Sequence, residues 1–200
     1  MLLLFEHIYP SLLWRMNREE KTLYLTFDDG PIPEVTPWVL EVLKKFNAKA
    51  TFFCIGKNVK INPEILKAIL DSGHAVGNHT MHHMNGWKSS SSEYSVDVME
   101  CKKLITSSLF RPPYGKIKYS QVRKLKKDFR IIMWDVLSKD YDHSLRGKDC
   151  FDRVKRKSRN GSIIVFHDSL KAEERLRFAL PETLKYFSDR GFEFKSIYPA

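Results

Sequence analysis

The chain has 200 residues, with 34 Lys and Arg against 24 Asp and Glu, a formal net charge of +10. Hydrophobic residues make up 42% and charged residues 29%, which excludes a wholly disordered or collagen-like chain and suits one domain with its own core. No stretch reaches the roughly 18 apolar residues of a membrane-spanning helix, and three Cys are too few for a disulfide scaffold.

The first residues, MLLLFEHIYPSLLWR, look apolar, but Glu6, His7 and Pro10 interrupt them. No basic region precedes Leu2 and no small-residue cleavage site follows, so the segment reads as a poor secretory signal. The expectation is an N-terminal extension, 1–19, packed on a single domain of 20–200, with a cytoplasmic address. From there short apolar runs alternate with helical stripes. Strands are expected at 22–27, 49–55, 74–77, 109–111, 129–134, 162–166 and 192–197. Val35, Trp38, Val39, Val42, Leu43 and Phe46 recur at helical spacing, with Pro37 in the first turn, where proline is tolerated. Asn62-Pro63 reads as an N-cap followed by proline at the first helical position, and Gly73 as the stop. Further helices are expected over 93–105, 119–127, 150–158 and 172–190, the last kinked or split by Pro181. Cys54 falls in the run TFFCI and reads as a buried thiol; Cys101 and Cys150 fall in helical patterns and suggest no metal motif. Strands repeatedly followed by helices imply a parallel sheet with right-handed crossovers. An open doubly wound sheet and a small β/α barrel both fit that pattern.

Four local motifs sit at predicted strand ends, the functional side of parallel α/β folds. In Thr26-Phe27-Asp28-Asp29-Gly30-Pro31, two adjacent carboxylates repel unless a cation or an arginine compensates. In His79-Thr80-Met81-His82-His83, the first and last imidazoles are four residues apart. On one helical turn they share a face, with His82 pointing elsewhere. One carboxylate and two imidazoles complete the ligand count of a catalytic metal site with room for water. Arg111-Pro112-Pro113-Tyr114-Gly115 offers a permanent cation that can hold a carboxylate, and a stiff turn that presents the backbone N–H near Tyr114. In Val165-Phe166-His167-Asp168, His167 is the natural proton donor. His7, His74 and His143 read as structural. No Gly-x-Ser-x-Gly elbow is present.

At these motifs the chain resembles the polysaccharide deacetylase family, the NodB-homology domain of carbohydrate esterase family 4. TFDDG, HTMHH, RPPYG and IIVFHD match the family's motifs in order, and the likeness spans about residues 20–197. The resemblance implies an α/β fold, a distorted (β/α)7 barrel, with 20–200 as its catalytic domain. It implies Asp28 as general base, oriented and kept ionised by Arg111, and Asp29, His79 and His83 as ligands of one divalent metal ion. Zinc leads, with cobalt, manganese, iron and nickel compatible. It also implies the Tyr114 backbone N–H at the oxyanion and His167 as general acid. Asp140-Tyr141 is the nearest match to the family's Asp-Trp pair. Asp140 would pair with His167 and raise its pKa, while Tyr141 keeps an aromatic wall and adds a hydroxyl.

The implied reaction is metal-dependent removal of N-acetyl groups from an amino-sugar polymer or oligomer, chitooligosaccharide or peptidoglycan-like. Three alternatives stand beside it: O-deacetylation of xylan or another glycan, hydrolysis of a non-sugar amide, and a noncatalytic glycan or nucleic-acid binding module. The basic runs 116–130 and 152–159 suit an anionic polymer or simply keep the surface solvated. They lack the motifs of a nucleic-acid reader, so nucleic acid is disfavoured. No obligate protein partner is implied. A cell-wall substrate would favour an envelope or periplasmic address over the cytoplasmic one.

Overall fold

A computed structural model describes residues 11–198. The readings placed on residues 1–10, His7 among them, lie outside the described residues. Eight strands form one sheet: β1 (Thr22–Asp28), β2 (Ala50–Cys54), β3 (Ala75–Asn78), β4 (Leu109–Phe110), β5 (Arg130–Ile131), β6 (Val136–Leu137), β7 (Ile163–His167) and β8 (Glu193–Phe194). All their pairings are parallel. Seven strands follow the order β5-β4-β3-β2-β1-β7-β6, and β8 pairs the start of β1 through Thr22 and Leu23. The sheet curls into a distorted α/β half-barrel around β1. Seven α-helices among the described residues accompany it: α1 (Thr36–Lys45), α2 (Gly56–Ile61), α3 (Pro63–Asp71), α4 (Ser91–Lys102), α5 (Tyr119–Leu125), α6 (Gly147–Lys157) and α7 (Glu173–Ser188).

The two-residue period of β1 organises the molecule. Leu23, Leu25 and Phe27 face the helices, in one core with Val39, Leu43, Leu176, Leu180 and Leu184. Phe27 stacks between Phe52 and Phe166, with ring centres 5.0 and 6.1 Å away. Tyr24 packs with the second core of Phe53, Leu109, Ile132 and Ile163. On the same alternation, Thr26 and Asp28 meet Arg111 inside the curl. The apolar half of β1 therefore anchors the strand, and its other half carries the chemistry to the C-terminal end.

The segment before β1 crosses the open side of the curl. Leu13 bridges Ile132 and Arg15 bridges Ser162. Leu13 N–H donates to Ile131 O at 2.9 Å, and Met133 N–H donates to Leu13 O at 2.7 Å. The Arg15 guanidinium meets Asp135 at 2.8 Å, with both side chains nearly buried.

Several local expectations need correction. The strand expected over 129–134 is a sheet strand only at Arg130–Ile131, with Ile132 bridging Leu13 beyond it, and that over 192–197 only at Glu193–Phe194. α2 and β6 were not expected: six and two residues are too few for a periodicity to register. Asn62 stands at the N-cap of α3, but its amide donates to Asn58 O and Pro31 O and caps nothing. α4 starts two residues early because Ser90 and Glu93 form a reciprocal capping box. α7 runs as one helix through Pro181. Its stripe of Leu176, Ala179, Leu180, Leu184 and Phe187 is buried in the main core, and that packing outweighs the lost backbone hydrogen bond.

Candidate active site

The C-terminal ends of β1, β3, β4 and β7 converge on a cavity of about 590 Å³. Asp28, Asp29, His79, His83, Tyr114, Tyr141 and His167 line it, with Trp134, Leu137, Val165, Lys116 and Lys171. Arg111 and Asp140 stand directly behind that wall, fully buried.

Asp29 Oδ1 lies 3.2 Å from His83 Nε2 and 3.8 Å from His79 Nε2, and the three ligand atoms are all within 4.8 Å of one another. A tetrahedral ion with bonds of about 2.0–2.1 Å spaces its ligands roughly 3.4 Å apart, so the set fits one ion. His79 Nδ1–H donates to Arg111 O at 2.8 Å, which leaves the Nε2 lone pair for a metal. Burial pushes the His79 pKa down to about 4, against the pull of Asp28, so the ring is neutral at pH 7 and free to ligate a metal. Burial alone would raise Asp29, but the His83 hydrogen bond and the charges of His167, His79 and His83 overcome it and hold the carboxyl at about 2.

The helical turn expected at 79–83 is absent. The residues form a loop after β3, in which Thr80 (φ 66°) and His83 (φ 55°) are left-handed. Polar groups shape it: Thr80 N–H donates to Asn78 Oδ1 at 2.8 Å, and Met81 and His82 N–H both donate to Asp97 Oδ1. The His79 and His83 rings still meet, 5.2 Å apart, because the loop folds back on itself. His82 points away and pairs with Asp97 at 2.6 Å.

Arg111 is 0% exposed. Its Nη1 donates to Asp28 Oδ1 at 2.7 Å and to Thr26 Oγ1 at 2.6 Å. Nη2 and Nε donate to the Met133 and Ile132 carbonyls at 3.0 and 3.3 Å. The guanidinium lies 4.1 Å over the Phe53 ring. All three nitrogens of this buried cation donate, four hydrogen bonds in all, so its position is fixed and Asp28 is held in one orientation.

His167 Nδ1–H donates to Asp140 Oδ1 at 2.7 Å, and its backbone N–H donates to Asp140 Oδ2 at 2.8 Å. Burial opposes the imidazolium, but the Asp140 charge and hydrogen bond outweigh that and lift the His167 pKa to about 9. The Tyr141 ring stands edge-on to His167 at 5.1 Å, and the Tyr114 ring, 59% exposed, tilts against His83 at 4.7 Å. Tyr114 itself is left-handed, φ 61°, inside the Pro113–Gly115 turn. Gly115 and Lys116 N–H close that turn onto Pro112 and Pro113 carbonyls.

Three supports act through contacts that the sequence did not reveal, although Thr26 and Asp168 stand inside quoted motifs. Asp168, fully buried, accepts from Gly30 N–H at 3.0 Å and from Thr36 Oγ1 at 2.6 Å, clamping the turn after Asp29. That turn has Asp29 at φ 86° and a cis Gly30–Pro31 bond. A Cβ on Gly30 would sit 2.0 Å from Asp168 Oδ2, so only glycine fits there. Arg175, also buried, donates to the Asp140 carbonyl at 2.6 Å. Thr26 Oγ1 links Arg111 to the Ile164 carbonyl. All three join residues far apart in the chain, which no spacing rule reveals. Cys54, Cys101 and Cys150 are free and buried, outside the ligand set.

The model of one family, polysaccharide deacetylase, matches residues 15–131, more than half of the chain. The chain belongs to the polysaccharide deacetylase family. It is a hydrolase of that deacetylase class. The match begins inside the segment first read as an extension, where Arg15 joins the sheet. A peptidoglycan-N-acetylglucosamine deacetylase of Bacillus cereus is 31% identical over 205 residues, covering 98% of this chain and 96% of that protein. A chitooligosaccharide deacetylase of Azorhizobium caulinodans is 33% identical over 168 residues, 80% of each chain. Among solved structures, a peptidoglycan N-acetylglucosamine deacetylase in complex with a naphthalenyl N-oxidanyl-benzamide superposes with a TM-score of 0.90 at 29% identity. It covers 96% of this deacetylase and 94% of that chain.

Proposed function

We propose that this deacetylase removes N-acetyl groups from an amino-sugar glycan, of peptidoglycan or chitooligosaccharide type, and releases acetate. The observation that carries the reading is one cavity that holds a ligand triad, an arginine-bound carboxylate and a carboxylate-bound imidazole. The names of the Bacillus cereus and Azorhizobium caulinodans relatives support the substrate class.

Asp29, His79 and His83 would hold a divalent ion, and zinc suits two imidazoles and one carboxylate best. Bound there, it supplies Lewis acidity toward the acetyl carbonyl and the attacking water. Asp28 takes a proton from that water, and Arg111 keeps its carboxylate aimed. The oxygen bonds to the amide carbon while negative charge grows on the carbonyl oxygen. The backbone N–H of Tyr114 donates to that oxygen. As the C–N bond breaks, His167 Nε2 gives its proton to the departing amine. Acetate and the free amine leave, Asp28 loses its proton, and His167 regains one. A poor leaving group such as a sugar amine needs an acid that stays protonated at neutral pH, and the lifted His167 pKa provides it.

The test is acetate release after metal reconstitution, across N-acetylglucosamine oligomers, peptidoglycan, acetylxylan and small amides. Release from acetylxylan alone, or from none of them, would overturn the reading. His79→Ala and His83→Ala should each lose the bound ion, seen as less than about one ion in ten retained by elemental analysis. Full retention in both would remove them from the ligand set.

The pH dependence follows from His167. The acid must be protonated, so activity on amides should fall as pH rises through about 9. Asp140→Asn removes the largest lifting influence and should move that alkaline limb down toward the 6.5 of an ordinary imidazole. An unmoved limb would separate it from His167. Stability has the same sign. The raised folded-state pKa contributes most below about 6.5 and its contribution is lost as pH rises through about 9.

With a cell-wall glycan as substrate, the enzyme acts at the envelope. Among the described residues no helix is long and apolar enough to cross a membrane.

A further inference from the structure

Two lysines in the catalytic cavity have no part in the proposed reaction. Lys116 follows the Tyr114–Gly115 turn after β4, and Lys171 follows His167-Asp168 after β7. β3, β2 and β1 separate those two strands in the sheet, so the lysines reach the cavity from different sides. Among the described residues neither ammonium makes an ion pair. Each lies over an aromatic ring instead, Lys116 5.4 Å from the centre of Trp87 and Lys171 5.7 Å from that of Tyr141. An aromatic face orients an ammonium without neutralising it.

The carboxylates of the cavity are already matched. Asp28 has Arg111 at 2.7 Å, Asp140 has His167 at 2.7 Å, and Asp29 faces the two imidazoles of the ligand set. The lysines are therefore surplus positive charge on the wall of the cavity. A neutral N-acetyl group offers them nothing. The basic run that begins at Lys116 does not act as one surface, since its Lys126 and Lys127 line a separate cleft with Asp128 and Arg130. Trp87, 52% exposed, and Tyr114 extend the rim beside Lys116 with flat faces on which sugar rings can lie.

We infer that Lys116 and Lys171 read carboxylates on the glycan, so that the preferred substrate bears an acid group next to the N-acetyl group removed. The inference rests on the N-deacetylase reading and narrows its substrate class to acidic glycans. The shared chemistry is a sugar carboxylate, which a lactyl ether or a uronate can supply.

The experiment measures acetate release by metal-replete enzyme from three oligosaccharides of equal length. One is neutral N-acetylglucosamine, one alternates with lactyl-ether sugars, and one alternates with uronates. Wild type is compared with Lys116→Ala, Lys171→Ala, the double variant, and the pair of Lys→Arg substitutions. The quantity read is the ratio of kcat/KM for each acidic substrate to that for the neutral one. The ratio should fall about 3-fold in each single alanine variant and about 10-fold in the double, mainly through KM, as expected for solvent-accessible ion pairs. Arginine should restore most of it, and added salt should erode it in wild type more than in the double variant. Lysine dependence with one acidic substrate and not the other supports the inference and names the carboxylate. A double variant whose ratios stay within about 1.5-fold of wild type for both acidic substrates overturns it, with acetate release still standing. No release from any of the three would instead overturn the N-deacetylase reading beneath it.

Discussion

Asp28→Asn should lower kcat by about 100- to 10,000-fold, the usual loss when a general base is removed, and should leave the affinity of the Asp29, His79 and His83 set for a divalent ion unchanged. The substitution is nearly isosteric, so the side chain still meets Arg111 Nη1, 2.7 Å away in the native protein. What it removes is the capacity to take a proton from water. The comparison that matters is Asp29→Asn beside it. Asp29 is one residue along, but the chain turns left-handed there, φ 86°, and sends its carboxylate to the two imidazoles. Asp29→Asn should lose metal, and Asp28→Asn should keep it. Elemental analysis and single-turnover acetate release on the same preparations separate the two. Near-normal turnover by metal-replete Asp28→Asn would end the base assignment.

Arg111→Met destabilises the fold by about 3–5 kcal/mol, the cost of breaking a buried ion pair from one side. For a chain of this length that lowers Tm by on the order of 10 °C. Methionine fills much of the same volume over Phe53, so the loss comes from polar groups left behind. Asp28 would lose its cation, Thr26 Oγ1 a donor, and the Ile132 and Met133 carbonyls theirs. The double variant Arg111→Met/Asp28→Asn removes the stranded charge and should melt higher than Arg111→Met alone. Additive losses in a double-mutant cycle would show that the pair is not coupled. Both variants should be inactive, so calorimetry and denaturant unfolding carry this test.

The grouping of the candidate site residues of this deacetylase was legible in its sequence because each motif is short and ends a strand. Asp28 and Asp29 leave β1, His79 leaves β3, Arg111 leaves β4, and His167 ends β7. A parallel sheet points all those ends the same way, so listing the motifs in chain order already gathers them at one mouth. The strand runs were equally local: 22–27, 49–55 and 162–166 are apolar enough to be buried whatever surrounds them. Short elements were not legible. α2 and β6 exist because the sheet and its neighbours hold them, since six and two residues carry too little periodicity of their own. The 79–83 loop misled for a related reason. A four-residue spacing fits a helical turn, yet Asn78 and Asp97 bind its backbone amides and impose left-handed residues instead.

Residue types, their order along the chain and the strand ends that carry them were determined by the sequence alone, because they depend on neighbours within a few positions. The resemblance named Arg111 with Asp28 and Asp140 with His167, contacts the fold makes across 83 and 27 residues, but only the tertiary structure joined Asp168 to Gly30 across 138 and Arg175 to the Asp140 carbonyl across 35. It also singled out Lys116 and Lys171 from 34 basic residues as the lysines that line the cavity. Those choices rest on contacts between distant strands, set by sheet order and by the requirement that every buried charge find a partner, and neither is written in local sequence.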